Sequence, residues 1–313
     1  MMLPVRGNKG FALILTMVVS ALMVAVVVEM IYQVYVDVSL SRSFRDEQQA
    51  SLYAESGITG GVKLLQLSLA SQDYSALSDS WTKPFRLDDE TGSVEITAVE
   101  ESGKLNLNDL VQPNGETDPY TLAALRRLGK RLKIGDELWS ALADWMDSDD
   151  QARSGGGESA YYKTMKPPYS AHNAKLSTIF ELSLVKGFTP EIIVKLRPFV
   201  TIFGGQSGGL LSQVNINTAS QEVLTALDDT IDDRMAERIV EERRLKPFRA
   251  AGELSRIPGG EIISQKLAGK VSVKGTLFRL TSISRVKESA RTVEALVRLG
   301  GGAEAEMIVW QEY

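Results

Sequence analysis

The chain has 313 residues, no cysteine and a single histidine, His172. With no thiol there is no disulfide, and because disulfides are optional outside the cytoplasm this excludes neither compartment. A loop that needs a staple must find another kind, such as a metal ion. One histidine leaves little room for Ser-His-Asp chemistry and none for a His-rich zinc site. In "PPYSAHN" it reads as a loop residue. Basic residues are also outnumbered: 35 Lys and Arg face 40 Asp and Glu, for a net charge of −5. That balance argues against a general electrostatic grip on nucleic acid. What remains, 43% hydrophobic and 24% charged residues, suits an anchor plus one or two compact domains.

A cleavage site of the secretory type is missing as well. The apolar run from Phe11 to Val28 is followed by Glu29, Met30, Ile31, Tyr32 and Gln33, with no A-x-A-like triplet. The run is apolar all round, unlike a helix with one buried face. At 1.5 Å per residue its roughly 18 uncharged positions rise about 27 Å, close to the thickness of bilayer hydrocarbon. Tyr32 and Tyr35 fall where interfacial aromatics belong, and Arg6 and Lys9 flank the short side. The expectation is a single-pass protein with its N-terminus in the cytoplasm and its mass outside. An uncleaved signal sequence that merely anchors is the other reading.

The junction Gly10-Phe11, followed by "ALILTMVVSALMVAVVV", resembles the type IV prepilin signal. That resemblance implies a peptidase that cuts between Gly10 and Phe11 on the cytoplasmic side and methylates the new amine. Residues 1–10 would then be a leader, and 11–31 the membrane helix. Most pilins carry Glu as the fifth residue after the cut, where this chain has Leu15. A carboxylate in hydrocarbon is costly unless a neighbour neutralises it. Leu15 therefore suggests a subunit with no neighbour above it, or a plain anchor.

Past Tyr32 the apolar residues become spaced, with Phe44, Leu52, Ile58, Val62, Leu65 and Leu69 suggesting one buried helical stripe to about residue 70. "GSVEITAVEESGKLNLN" alternates like a strand, and so do "LFRLTSISRV", "RTVEALVRL" and "EMIVWQEY". Residues 71–104 and 275–313 are thus expected to form a sheet against the long helix, in an α+β arrangement of the pilin-like kind. Residues 105–274 are patterned mainly as helix and read as an inserted all-α domain whose ends lie close together.

The insertion repeats itself in order. "KLNLNDL" matches "QVNINTA", "FELSLVKGF" matches "GELSRIPGG", and "FVTIFG" matches "KVSVKG". The first half holds roughly 37 extra residues between its first two blocks. The second half resembles helix-hairpin-helix units such as those of competence DNA receptors. Those units aim Gly-rich backbone amides at phosphate. Here the hairpin between Leu227 and Met235 is "DDTIDDR", with four aspartates and no glycine. Carboxylates repel phosphate, so the fold is expected without the DNA chemistry. A membrane-tethered DNA receptor stays open as the alternative.

The extra residues contain the best candidate for a site. "LWSALADWMDSDDQARSGGGESAYY" begins as a helix with Leu138, Leu142, Trp145 and Met146 on one face. Asp144, Asp147, Asp149, Asp150 and Glu158 are the candidate ligands, and oxygen-only donors at this density suit calcium. Asp147, Asp149 and Glu158 fall at the first, third and twelfth places of an EF-hand-type loop, but Ala152 stands where that loop needs Gly. A solvated acidic loop is the other reading. With no base or nucleophile beside these carboxylates, an enzyme is not expected.

Together, the prepilin start, "GKLNLNDL", "ALADWMDSDD…GGGESAYY", "PYSAHNAKLSTIFELSLVKGF" and "VNINTASQEVLTAL" resemble the minor pseudopilin K family of type II secretion. The block at Gly156-Gly157-Glu158-Ser159 departs from it, where an acidic residue is often found at the last place. The resemblance implies a pilin-like domain with a large α-domain insertion that caps the pseudopilus tip. It implies minor pseudopilins of the I, J and H types as partners, calcium near the insertion, and an inner-membrane anchor with a periplasmic body. A tip minor pilin of a type IV pilus would share the fold and the processing.

Overall fold

The computed structural model describes residues 9–204, 211–300 and 305–313. Residues 1–8, Arg6 included, lie outside the described residues. Helix α1 runs from Lys9–Ala70, 62 residues, straight through Gly10 and Phe11. From Gly10 to Arg45 its side chains are exposed, Val36 alone partly covered. This segment contains the one helix among the described residues that is long and apolar enough to cross a membrane.

Beyond Arg45 the helix meets a sheet. Lys287 and Arg291 bind Asp46 and Glu47 at 2.8 and 2.9 Å and mark where contact starts. Ala50, Ala54, Ile58, Val62, Leu65 and Leu69 then form the buried stripe, three or four residues apart. Two expected members are not in it. Phe44 lies below the sheet, and Leu52, six residues before Ile58, sits about 240° around the helix from it; both are more than 60% exposed. Gly57 is where helix and sheet come closest: a Cβ there would run into Ser282 and lie 2.8 Å from Val94.

The sheet begins with β1 (Phe85–Asp88) and β2 (Ser93–Glu100). β1 was not legible in advance: it is a four-residue edge strand with every residue exposed. From β2 the chain enters the insertion. The first half holds β3 (Leu105–Asn106), α2 (Pro119–Leu132), α3 (Glu137–Met146), α4 (Ser159–Tyr162), α5 (Pro190–Leu196) and β4 (Val200–Thr201). The second holds β5 (Val214–Asn215), α6 (Gln221–Leu227), α7 (Asp233–Leu245), α8 (Gly260–Lys266) and β6 (Val271–Ser272). β7 (Leu277–Val286), β8 (Ser289–Leu299) and β9 (Ala305–Glu312) complete the sheet, antiparallel in the order β1-β2-β7-β8-β9. Glu100 pairs with Phe278, so the insertion leaves and re-enters the sheet on neighbouring strands.

The duplication is visible in the strand pairing. β3 pairs with β4 in parallel, Leu105 opposite Val200, and β5 pairs with β6 in parallel, Val214 opposite Val271. "FELSLV" and "GELSRI" both lie on 3-10 turns, over Ile179–Leu184 and Ala251–Arg256. The two halves share one apolar core, from Leu107, Leu125 and Leu142 to Ile216, Leu227 and Phe248. The sheet and α1 close over a second core that includes Trp81, Ile96, Phe278 and Val293.

Candidate metal centre

Helix α3 is buried nearly all round, with Trp139, Leu142 and Trp145 in the core of the first half. Asp144 and Asp147 sit three residues apart and so share a face at its C-terminal end. The chain then loops out through residues 148–157 and returns Glu158 to the same spot. Asp144, Asp147 and Glu158 are all buried, and one carboxylate oxygen from each lies within 4.8 Å of the others. The return depends on glycine. Gly155 has φ of +83°, and any Cβ at Gly156 would strike the Asp144 carboxylate. Lys186 Nζ donates to the Gly156 carbonyl at 2.6 Å and holds the loop down.

Arg153 partly neutralises the cluster. Its guanidinium donates to Asp144 Oδ1 at 2.7 Å and to Asp147 Oδ2, and its backbone amide donates to Asp144 Oδ2 at 3.0 Å. Burial disfavours that guanidinium's charge, but the two carboxylate hydrogen bonds outweigh it and raise its pKa. On the other side, Asp147 Oδ1 and both oxygens of Glu158 are buried with no hydrogen-bond partner among the described residues. Burial first, then the charges of Asp144, Asp147, Asp149 and Asp150, push Glu158 up to about 7. Burial also raises Asp147, more than Arg153 lowers it.

Buried carboxylate oxygens without donors are costly. Three carboxylates that converge here, all hard donors and two of them with orphan oxygens, fit calcium. Asp144, Asp147 and Glu158 would hold the ion, which would neutralise them and tie the loop to α3. The five candidate ligands do not all meet. Asp149 and Asp150 are exposed and outside the cluster, because the chain turns outward after Asp147; Asp149 accepts from the Gln151 amide at 2.7 Å instead. The third carboxylate is Asp144, from the helix. Sequence reasoning missed Arg153, which carries no motif.

Around the cluster, Trp145, Tyr162 and Tyr169 pack edge-on and stacked, with centroids 5.0 to 6.2 Å apart. His172 lies against Trp145, and its Nδ1 is 3.0 Å from Glu181. The four aspartates of the second half's hairpin have structural partners. Asp232 caps α7, Asp228 takes Thr230 and Lys266, and Asp229 and Asp233 bind Arg127 and Arg131 of α2.

The family described as type II secretion system (T2SS), protein K, matches this chain at residues 103–205 and 214–274, together just over half of it. The chain belongs to that family. Among the family's curated members, the type II secretion system protein K of Pseudomonas aeruginosa is 29% identical over 265 residues, covering 80% of this chain and 77% of that protein. The protein of the same name from Aeromonas hydrophila is 26% identical, covering 96% of this chain and 99% of its own. In fold the chain is similar to a member of the GspK-GspI-GspJ complex of enterotoxigenic Escherichia coli. The TM-score is 0.75 at 24% identity, over 87% of this chain and 99% of the other. Family membership makes this protein a minor pseudopilin of type II secretion, with a pilin-like fold and a helical insertion.

Proposed function

We propose that this chain starts and caps the tip of the type II secretion pseudopilus, as a structural subunit rather than an enzyme. One observation carries the reading: a pilin-like rod and sheet bear an inserted helical domain, attached at the end of the sheet domain away from the exposed, membrane-length part of α1. A bulk of that size leaves no room for a further subunit above, so growth proceeds from below. Leu15 supports the same polarity, because a terminal subunit has no neighbour whose amine would neutralise a carboxylate in hydrocarbon.

Prepilin peptidase would cut at Gly10-Phe11, with the N-terminus cytoplasmic, the helix in the inner membrane and the body in the periplasm. The partners would be minor pseudopilins of the I, J and H types, in line with the complex named for the Escherichia coli relative. An apolar groove of about 610 Å³ between α1 and β1 supports such contacts. Leu64 and Leu67 form one wall and Phe85 and Leu87 the other, all more than 40% exposed, and the groove continues the exposed face of α1 upward. Calcium in the acidic cluster would stiffen the cap.

The test is co-purification of the full chain from detergent with the I- and J-type subunits, with secretion assayed in parallel. Leu15→Glu and a chain lacking residues 105–274 should each impair tip assembly, the second also permitting subunits above it. Wild-type assembly and secretion by both variants would defeat the proposal.

A further inference from the structure

We propose that Glu100 is a proton-controlled latch between the sheet domain and the inserted helical domain, shut when its carboxyl is neutral and loosened when it ionises. Glu100 is the last residue of β2 and is only 5% exposed. Its Oε2 accepts from Ser75 Oγ at 2.7 Å, in the connection between α1 and β1. Its Oε1 accepts from Asn215 Nδ2 at 2.8 Å and Thr218 Oγ1 at 3.2 Å, both in the second half of the insertion. The chain returning to the sheet closes the fourth side: the Gly275 amide donates to Ser75 Oγ at 2.8 Å, and a Cβ on Gly275 would overlap the Glu100 carboxyl. Backbone bonds surround the group, Ser75 to Val273 at 3.0 Å and Asn215 to Ser102 at 2.8 Å. One side chain thus bonds the α1–β1 connection to the second half of the insertion and packs against the chain returning to the sheet.

None of the ion pairs among the described residues reaches Glu100. The charged groups around it are committed elsewhere or repel it. From the α1–β1 connection, Asp79 faces it with like charge while holding Ala76 and Trp81. Glu101, next along the chain, is held by Lys104 and by Arg279 of β7 at 3.0 and 2.9 Å. Lys274, on the returning segment, donates to the carbonyls of Leu69 and Gln72. From the insertion, Asn215 and Thr218 offer only neutral donors.

Burial raises Glu100 from 4.5 to about 7; hydrogen bonds from Asn215, Ser75 and Thr218 pull it down, and Asp79 adds to the rise. Because the folded value exceeds the unfolded one, the closed junction binds more protons. Its stability is full below about 4.5 and is lost as pH rises through 7. Above that range an unpaired charge sits in a low dielectric, and opening the junction to water relieves it.

The experiment is hydrogen exchange of the full chain in detergent micelles at pH 6 and 8.5, corrected for intrinsic rates. Protection of the Ser75, Asn215 and Gly275 amides should fall roughly tenfold at the higher pH, while Leu280 within the sheet stays constant. Glu100→Gln should remove the pH dependence, and Asp79→Asn, which removes the like charge, should move the midpoint to lower pH. Equal protection at both pH values in the wild type, or an unmoved midpoint in Asp79→Asn, overturns the latch even if Glu100→Gln fails to fold.

Discussion

The side-chain amide of Asn108 donates to the carbonyls of Leu176 and Ile202 at 2.9 and 2.8 Å, and that of Asn217 donates to Phe248 and Val273 at 2.8 and 3.2 Å. Each asparagine also accepts a backbone amide, from Leu176 and from Phe248. Each has its own amide fixed by the asparagine two residues earlier, Asn106 or Asn215. The two halves of the insertion are therefore bolted by the same side chain at the same place. In each, it ties the opening strand to the middle of the unit and to its closing strand.

Asn108→Ala and Asn217→Ala should each destabilise the insertion by roughly 2–4 kcal/mol, since each strands buried backbone groups. Thermal melts of the full chain in detergent check this. Similar losses at the two sites are expected, and a neutral result at either would show that its bonds are replaced by water.

Calcium should raise the melting temperature, and chelator should reverse the rise. The sign of the pH effect follows from Glu158, whose value lies near 7 when folded and metal-free, above its ordinary 4.5. Without metal, the stability linked to this group is greatest in acid and is lost between about 4.5 and 7. Binding requires the ionised form, so the calcium-induced shift should grow from pH 6 to pH 8 and then level off. Glu158→Gln should weaken calcium binding and flatten that dependence, both read by calorimetry.

Arg153 and a cation contend for Asp144 and Asp147. Arg153→Gln should tighten calcium binding by about tenfold or more, because a positive charge leaves the site. In chelator the same variant should lower the melting temperature, since two buried carboxylates lose their counter-charge. Unchanged affinity would place the ion elsewhere.

Two glycines on α1 make a paired test. A methyl at Gly57 meets Ser282 and Val94, whereas one at Gly60 meets nothing within 4 Å. Gly57→Ala should destabilise the pilin-like domain by roughly 1–3 kcal/mol, through overpacking. Gly60→Ala should stabilise it by up to about 1 kcal/mol, through helix propensity alone. Denaturant titration separates them, and equal effects would contradict the close approach of helix and sheet at Gly57.

Much of this architecture was legible in advance because it rests on short-range periodicity. The apolar run after Gly10, the stripe from Ile58 to Leu69, the alternation of the last three strands and the match of "LNLN" with "VNIN" are local patterns. Helices and strands must follow them to bury one face. The limits of the same logic are visible at Phe44 and Leu52, apolar residues that the sheet does not reach, and at β1, an edge strand too short and too exposed to leave a pattern.

The acidic cluster divides the same way. That Asp144 and Asp147 share a face follows from helical geometry, and an excess of carboxylates nearby can be counted. Choosing Glu158 over Asp149 and Asp150, placing Arg153 across two of the carboxylates, and closing Glu100 inside a four-segment junction were decided by tertiary structure alone. The physical reason is reach. Local sequence determines which way a side chain leaves its own element, but only the packing of distant segments determines what it meets and whether water remains there.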